Sequence, residues 1–313
     1  MLKNCSFQLP KTICRDRIMT LQHIPVIPMP QPNQTIAYTE YLVGFYDILG
    51  QRELLSSTCL SLTNEHSHCE LLEHAQNTLG VIYTFRSLFN TYFAGYLSAT
   101  SEDMTDSSEA KPLENIIIKC QAFSDTIIVY LPLANSSRNI QWRAIHSLLA
   151  ASTNIMPMLL SKGIPIRGAI ELGIGTEFID GELYGPVLQE AYRLESEVAS
   201  YPRLIVGKYF ASFFQDSLNK VASIDILNPN QLKALNQNIN WFTIDDDGEF
   251  ILNYLGESSR ILPGSIKEEA ISQSYKFVCQ QLSKFSKEND LKLMKRYTRL
   301  KCYFDRNLSR DAS

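Results

Sequence analysis

The sequence lacks the features that mark proteins of membranes, of the secretory route or of duplex nucleic acid. No apolar run approaches the ~20 residues that cross a bilayer. The opening stretch MLKNCSFQLPKTICRDR carries charge without the apolar centre of a signal peptide. There are 29 basic and 33 acidic residues, whereas duplex-binding proteins usually have a basic excess. These absences predict a soluble cytoplasmic protein that binds neither membrane nor nucleic acid.

Cysteine pairing is likewise missing. The seven cysteines are scattered, are odd in number and form no CxxC pair, which is typical of reduced thiols rather than of a disulfide framework. What the chain does contain is 313 residues, of which 45% are hydrophobic and 20% are charged. That composition suits one α/β domain with insertions and a tail.

Hydrophobic patterning predicts the order of the secondary-structure elements. Alternating and β-branched residues predict strands over 36–49 and 166–173, and a tight hairpin formed by NIIIKCQ and DTIIVYLPL. Apolar residues at helical spacing predict helices over 70–99 and 140–161. A third helix begins at Pro186 and precedes a strand. The order β, α, β, β, α, β, β, α, β predicts an α/β sandwich with a mixed sheet and helices packed on it.

Two segments flank this predicted domain. Residues 1–35 contain closely spaced prolines and are predicted to form an N-terminal arm. The domain spans 36–256, with an acidic, serine-rich surface loop over 100–112, and 257–313 is predicted to be a helical C-terminal extension. The segment DDDGEF resembles the start of a calcium loop but lacks the Glu at the twelfth position. It is interpreted as a hairpin turn.

A carboxylate stands inside the apolar strand VGFYDILG. Burying ionised Asp47 is costly unless the group is paired or binds a metal. Asp125 lies at the turn of the predicted hairpin, and if the two strands are neighbours, both carboxylates converge at one sheet edge. Divalent cations would relieve their repulsion, and two cations about 4 Å apart suit in-line displacement at phosphorus. The alternative is that Asp47 caps a strand end and Asp125 is a turn residue.

Two further segments carry arginines. Arg167 opens the strand IRGAIELG, where it is either an edge residue with a solvated head or an anion clamp. Gln189 and Arg193 are four residues apart, so they share one face of the third helix and could stabilise charge on a phosphate. The alternative is a solvated face on which Glu190, Arg193 and Glu197 form weak ion pairs.

The order and spacing of these segments resemble the catalytic domain of class III nucleotidyl cyclases. GFYDILG resembles the family's first metal-binding strand, and QAFSDTIIV its second metal-aspartate hairpin, with Ser124 where Gly is more usual. IRGAIELG resembles the phosphate-clamping strand, and YGPVLQEAYRLES resembles the helix that carries the transition-state Asn and Arg. Gln189 replaces that Asn. The two purine-reading positions hold Gln121 and Glu182, so the purine-reading set is absent.

Within that family the segments FYDILG, FSDTIIV, IRGAI and LESEVASYPRLIVG, and the terminal KRYTRLKCYFDRNL, are similar to the pyrimidine cyclases of bacterial anti-phage Pycsar systems. The resemblance implies an enzyme that makes cyclic UMP from UTP, or cyclic CMP from CTP, and acts through a separate effector that the cyclic nucleotide activates. UTP is preferred because uridylate cyclases are the commoner kind. A purine cyclase with an unusual pocket and an inactive nucleotide sensor stay open.

The resemblance also implies which residues hold the cations and the phosphates. Asp47 and Asp125, with the Ile48 carbonyl, would hold two Mn²⁺ or Mg²⁺ ions. Arg167 and the backbone N–H groups from Ile48 to Gly50 would bind the triphosphate.

The resemblance further implies a head-to-tail homodimer with composite sites. Arg193, with Gln189, would stabilise the transition state from the other subunit. Tyr46, Gln121 and Glu182 are the candidates for reading the base. Tyr46 alternates to the strand face opposite Asp47, so a place in the core is the alternative for it.

Overall fold

The structure is a computed structural model that describes residues 38–50, 65–102, 118–136, 138–178, 181–222, 241–256 and 264–308. The predicted N-terminal arm over 1–35 lies outside these residues, as does most of the predicted loop over 100–112. All described residues belong to one compact unit.

One eight-stranded mixed sheet organises the fold. Its strands are β1 Thr39–Ile48, β2 Lys119–Phe123, β3 Thr126–Pro132, β4 Ile166–Glu177, β5 Leu183–Tyr184, β6 Leu204–Val206, β7 Phe242–Ile244 and β8 Phe250–Leu252. The spatial order is β2-β3-β1-β4-β6-β8-β7, and β5 pairs with β4 off this path. Only the β4–β6 pair is parallel among the described strands. The predicted mixed sheet and both predicted hairpins are confirmed.

Six α-helices accompany the sheet in the described part of the chain: α1 Glu65–Glu102, α2 Trp142–Leu160, α3 Pro186–Arg193, α4 Lys208–Ala222, α5 Gly264–Lys287 and α6 Leu291–Leu308. A π-helical turn, Leu194–Val198, continues α3. Helix α1 extends three residues into the segment predicted as a loop, and α4 was not predicted. None of the helices that the structure describes is long and apolar enough to traverse a bilayer.

Strand β1 is covered on both faces, which explains its nearly continuous apolar sequence. Side chains alternate along a strand, and one set faces the main core shared with α1 and α2: Leu42, Tyr46 and Ile48. The other set faces a smaller core beneath α3: Tyr41, Val43 and Phe45. By the same alternation, Asp47 lies on the α3 face of the sheet.

The two C-terminal helices contact the rest of the fold through buried residues. Ser274 of α5 donates a hydrogen bond of 2.9 Å to the carbonyl of Pro157 in α2. Tyr303 of α6 is buried, and its ring centroid lies 5.0 Å from that of Tyr254, which follows β8. Segment 257–313 is therefore helical where the structure describes it, and it packs on the sheet domain.

An ion-pair network joins the segment before β6, the β7–β8 turn and α6. Arg203 is fully buried and binds Asp245 and Asp247, the latter at 2.6 Å between Nη2 and Oδ2. Arg299 Nη2 lies 2.7 Å from Asp247 Oδ2, and Arg306 Nη2 lies 2.9 Å from Asp245 Oδ1. The DDDG turn is thus a hairpin turn, as predicted, and its carboxylates bind three arginines.

Candidate active site

Strand pairing brings Asp47 and Arg167 together. In the sheet register Asp47 lies opposite Thr126 of β3 and opposite Arg167 of β4. Residues directly opposite in an antiparallel pair project to the same face. The Nε–H of Arg167 accordingly donates a hydrogen bond of 3.2 Å to Asp47 Oδ2. Both side chains are only 18% exposed, so the pair sits in a partly desolvated place.

Gly168 allows this close approach of β1 and β4. A Cβ atom at Gly168 would lie 2.1 Å from the carbonyl oxygen of Phe45 and 2.9 Å from Leu204. No side chain fits there without moving one of the strands. The glycine that follows Arg167 therefore sets the spacing on which the Asp47–Arg167 contact depends.

Asp125 lies beside Asp47, as the sequence predicted. The backbone N–H of Ile48 donates to the carbonyl of Asp125 at 3.0 Å, which holds the hairpin turn against the end of β1. Burial raises the pKa of Asp47, the charge of Arg167 lowers it, and the negative charge of Asp125 raises it again. Ser124 has a φ of 55°, a conformation that glycine adopts more easily.

Glu195 is a third carboxyl group at this place, and the sequence analysis missed it. It lies in the π-helical turn, is buried, and places Oε1 2.6 Å from Arg167 Nε. Oε1 accepts no hydrogen bond from a described residue, since the Nε–H points at Asp47. Burial raises the pKa of Glu195 to about 7; the positive charge of Arg167 lowers this pKa, and the negative charge of Asp47 raises it.

A signal for Glu195 exists in the sequence. Successive helical residues are about 100° apart, so a residue two positions on lies roughly 200° around the helix. On the alternative in which Arg193 lies on a solvated face, Glu195 would therefore lie towards the sheet, although this spacing does not show what Glu195 contacts there. π-helical turns occur often at functional sites, but their presence is not visible in residue spacing.

Two of the base-reading candidates lie close to each other. Gln121 Nε2 donates a hydrogen bond of 3.1 Å to the carbonyl of Gly181, and the next residue, Glu182, is exposed. Gln121 lies opposite Ile128, which lies opposite Phe45, so it shares the Asp47 face. Strand spacing and rise put its Cα about 12 Å from that of Asp47. A nucleoside triphosphate could span that separation.

The prediction that Tyr46 reads the base is wrong. Its side chain is fully buried in the main core, on the sheet face opposite Asp47, and its hydroxyl lies 2.6 Å from Ser152 Oγ. Its ring contacts Phe85 and Phe89 of α1. Because strand alternation and this packing direct it away from Asp47, Tyr46 is a core residue and does not read a base.

The predicted backbone cradle is also corrected. The Ile48 N–H donates to Asp125, and the Leu49 N–H donates to the Pro165 carbonyl at 2.9 Å. These two groups already have partners within the sheet, so neither can bind a phosphate as the fold stands. Gly50 follows with a φ of 91° and is exposed, which makes it the turn residue that ends β1.

Gln189 and Arg193 lie on the exposed side of α3. Arg193 forms two hydrogen bonds with Glu190, at 2.8 Å from Nε and 2.7 Å from Nη2, and lies 3.7 Å from Glu197. This is the arrangement of the solvated-face alternative. A single chain does not bring Gln189 and Arg193 to Asp47.

The carboxylates at the site do not form a complete metal centre by themselves. Within the described ranges, no group of three or more His, Cys, Asp and Glu side chains is placed to hold a metal ion. The predicted ligands Asp47, Asp125 and the Ile48 carbonyl therefore form a partial set of oxygen donors.

Comparisons with known proteins give little beyond this geometry. No protein-family model matches the chain, and no curated protein matches it. Among solved structures, it is similar to the catalytic core of a rhodopsin-guanylyl cyclase with converted specificity, in complex with ATPalphaS. The identity is 12%, the match covers 57% of this chain and 82% of that chain, and the TM-score is 0.35. A likeness at this level leaves the function to be argued from the site.

Proposed function

We propose that this protein is a nucleotidyl cyclase that converts UTP to 3′,5′-cyclic UMP and pyrophosphate. The observation that carries the proposal is the convergence of Asp47, Asp125 and Arg167 at the ends of three adjacent strand segments. Two carboxylates beside one guanidinium suit a nucleoside triphosphate that binds with divalent cations.

The donor set fits hard divalent cations. Asp47 and Asp125, with the Ile48 carbonyl, would hold two Mg²⁺ or Mn²⁺ ions, which supply Lewis acidity for the attack of the ribose 3′-hydroxyl on the α-phosphorus. Mg²⁺ is commonly held by one or two carboxylates together with substrate phosphates. A partial set of protein ligands is therefore what such a site needs. The like charge of Asp125, which raises the pKa of Asp47, would be neutralised there.

Arg167 would bind the triphosphate. Neither of its Nη nitrogens donates a hydrogen bond to a described residue, since Nε makes the contact with Asp47. The planar guanidinium can offer both Nη groups to phosphate oxygens in a fixed fork. Asp47 and Glu195 meanwhile hold the Nε side of the group in place.

The base would lie near Gln121 and Glu182. The Gln121 carboxamide can donate and accept, and the Glu182 carboxylate can accept from the N3–H of uracil. Neither position holds the lysine side chain expected for an adenine pocket, and this supports a pyrimidine base. Cytidylate cyclase activity is the alternative within the same reaction.

The transition state would be stabilised from a second subunit. Gln189 and Arg193 are exposed on α3 and do not reach Asp47 within one chain. In the proposed head-to-tail homodimer, each composite site would receive Arg193 from the partner. The cyclic nucleotide would then activate a separate effector in anti-phage defence.

The test is product analysis. Purified protein is incubated with each of the four NTPs and Mn²⁺, and products are identified by mass spectrometry. We expect cyclic UMP as the main product, abolished in Asp47→Asn and Asp125→Asn and retained in Asp216→Asn, an exposed aspartate on α4. Cyclic AMP or cyclic GMP as the main product would refute the pyrimidine assignment. Binding without turnover of any NTP would favour a nucleotide sensor.

A further inference from the structure

The C-terminal helix α6 runs past the candidate site, and its contacts fix it there. Arg299 Nη1 donates a hydrogen bond of 2.7 Å to Ser200 Oγ, and Ser200 closely follows the π-helical turn that carries Glu195. Tyr297 is buried, and its ring centroid lies 6.2 Å from that of Phe277 in α5. This part of α6 is therefore held on one side by the segment after Glu195.

Phe277 connects the other side of α6 to the start of β4. A Cβ atom at Gly163 would lie 3.3 Å from the Phe277 ring, and Gly163 is in the turn that precedes Arg167. Helix α6 therefore contacts the segment after Glu195 through the Arg299–Ser200 hydrogen bond, and it contacts the turn before Arg167 through the Phe277 ring. Both segments position the Arg167 guanidinium.

Arg296 lies on this part of α6 and is partly buried. Helical residues three positions apart share a face, so Arg296 lies on the same face as Arg299, one turn closer to the start of the helix. Burial lowers the pKa of Arg296, and the positive charge of Arg167 lowers it further, while Tyr297, Asp47 and Asp290 act in the opposite direction. The Arg296 guanidinium is therefore within electrostatic reach of Arg167 and Asp47.

Arg296 forms no ion pair or hydrogen bond with any residue that the structure describes. A partly buried cation beside a second cation is unfavourable, and the negative charges of Asp47 and Asp290 offset this only in part, since the pKa of Arg296 is still lowered. An anion that contacts both guanidinium groups would turn this repulsion into attraction, and a polyphosphate carries enough charge for two arginines.

We propose that Arg296 is a further triphosphate-binding residue, which the C-terminal helix places beside Arg167 so that both arginines bind the phosphates that leave as pyrophosphate. The inference rests on the proposed function, because it assigns Arg296 to the same nucleotide site. It gives the C-terminal extension a direct part in substrate binding.

The experiment measures binding of inorganic tripolyphosphate by calorimetry, with and without Mg²⁺, and the KM for UTP. We expect Arg296→Gln to weaken tripolyphosphate binding at least tenfold and to raise the KM for UTP at least tenfold, with a smaller change in kcat. Arg296→Lys keeps the charge but not the planar guanidinium, so its effects should lie between those of the unaltered protein and of Arg296→Gln. Lys295→Gln changes an exposed neighbour on the same helix and should bind as the unaltered protein does. Thermal unfolding of each variant shows that it is folded.

The outcomes separate this inference from the proposed function. If UTP is cyclised but Arg296→Gln and Arg296→Lys bind tripolyphosphate and UTP normally, the inference is overturned and the cyclase stands. If no NTP is cyclised but tripolyphosphate binds and the binding depends on Arg296, the anion site stands and the cyclase fails. If Lys295→Gln weakens binding as much as Arg296→Gln, the effect is one of general charge, and the assignment to Arg296 is wrong.

Discussion

Glu195 and Asp47 both contact the single guanidinium of Arg167, and burial raises the pKa of each. Glu195 has a pKa raised to about 7 by burial, so near neutral pH it holds a proton for much of the time. Asp47 accepts the Nε–H hydrogen bond. Because burial favours the protonated form of Glu195, we expect a neutral side chain of the same shape to replace it at little cost.

The raised pKa of Glu195 predicts unequal effects of two substitutions at this residue. Glu195→Gln keeps the shape and resembles the protonated carboxyl, so the free energy of unfolding should change by less than about 1 kcal/mol. Glu195→Ala removes the group and should cost about 2 kcal/mol, and it should raise the KM for UTP because Arg167 loses a contact. Urea unfolding and steady-state kinetics measure both. Equal damage from Gln and Ala would mean that Glu195 acts as a fixed negative charge.

At the residue scale, the sequence predicted that Asp47 and Asp125 would converge, because a strand and a hairpin turn are both visible in local patterns. It did not place Arg167 beside Asp47, because that contact depends on the pairing of β1 with β4, which are far apart in the sequence. It could not predict Glu195, whose position depends on a π-helical turn. The core position of Tyr46 was the stated alternative, and it follows from the alternation of strand side chains. The amides of Ile48 and Leu49 were wrongly assigned, because their acceptors, Asp125 and Pro165, come from other segments of the sheet.

At the element scale, the close pairing of β1 and β4 depends on Gly168, which has no side chain. Gly168→Ala would place a methyl group against the Phe45 carbonyl and should lower the free energy of unfolding by about 2 kcal/mol. The control is Gly95→Ala on α1, where a Cβ meets nothing within 4 Å and a better helix former should add about 1 kcal/mol. Urea unfolding compares them. A neutral Gly168→Ala would mean that the strands tolerate a wider spacing.

The packing of α2 on α4 predicts a dependence of stability on pH. His146 lies between Trp142 and Phe214, with ring centroids 6.0 Å from each, and burial lowers its pKa to about 4. The unfolded chain binds a proton near pH 6.5, and the folded chain does not until about pH 4. Stability from this residue is therefore present above pH 6.5 and is lost as the pH falls towards 4.

The measurement is urea unfolding of the unaltered protein and of His146→Gln at pH 7.5 and pH 5. We expect the unaltered protein to lose about 2 kcal/mol more than the variant between these values. Parallel losses in the two proteins would show that His146 titrates normally in the fold.

Helix α4 shows why one element was missed. Phe210, Phe213 and Phe214 have helical spacing, but aromatic residues are weak helix formers. Its first turn is stabilised by a residue far away in the sequence: the carboxylate of buried Glu171 in β4 accepts a hydrogen bond of 2.9 Å from the Phe210 N–H. Stabilisation of that kind appears only once the chain has folded. The other elements, which depend on local periodicity, were predicted to within a few residues at most ends.

At the scale of the whole molecule, the exposed position of Arg193 predicts complementation between inactive variants. Asp47→Ala removes a proposed cation ligand, and Arg193→Ala removes the group proposed to act in the partner's site. In a mixture with free subunit exchange, half of the dimers are mixed and each has one intact site, so about a quarter of the activity should return. Activity assays and light scattering measure this. A dimer whose mixture stays inactive would place both residues in one subunit's site.

The network around Arg203 has a consequence for the integrity of the chain. The turn between α5 and α6 includes Asn289, which is exposed and has a φ of 55°, so it is the kind of place that proteases cut. A single cut there would leave α6 attached by its buried residues and by polar contacts, among them those of Arg299 with Ser200 and of Arg299 and Arg306 with the β7–β8 turn.

Loss of α6 after such a cut would remove Arg306 from Asp245, leaving this buried carboxylate with Arg203 and the Tyr201 hydroxyl. It would also remove Arg296 from the proposed nucleotide site. We expect high salt, which screens the exposed pairs, to release α6 from nicked protein and to end activity, while intact protein keeps its activity. Gel filtration and activity assays follow the two events together. If the protein is the proposed cyclase, one cleavage would switch it off while leaving its sheet, Asp47 and Asp125 untouched.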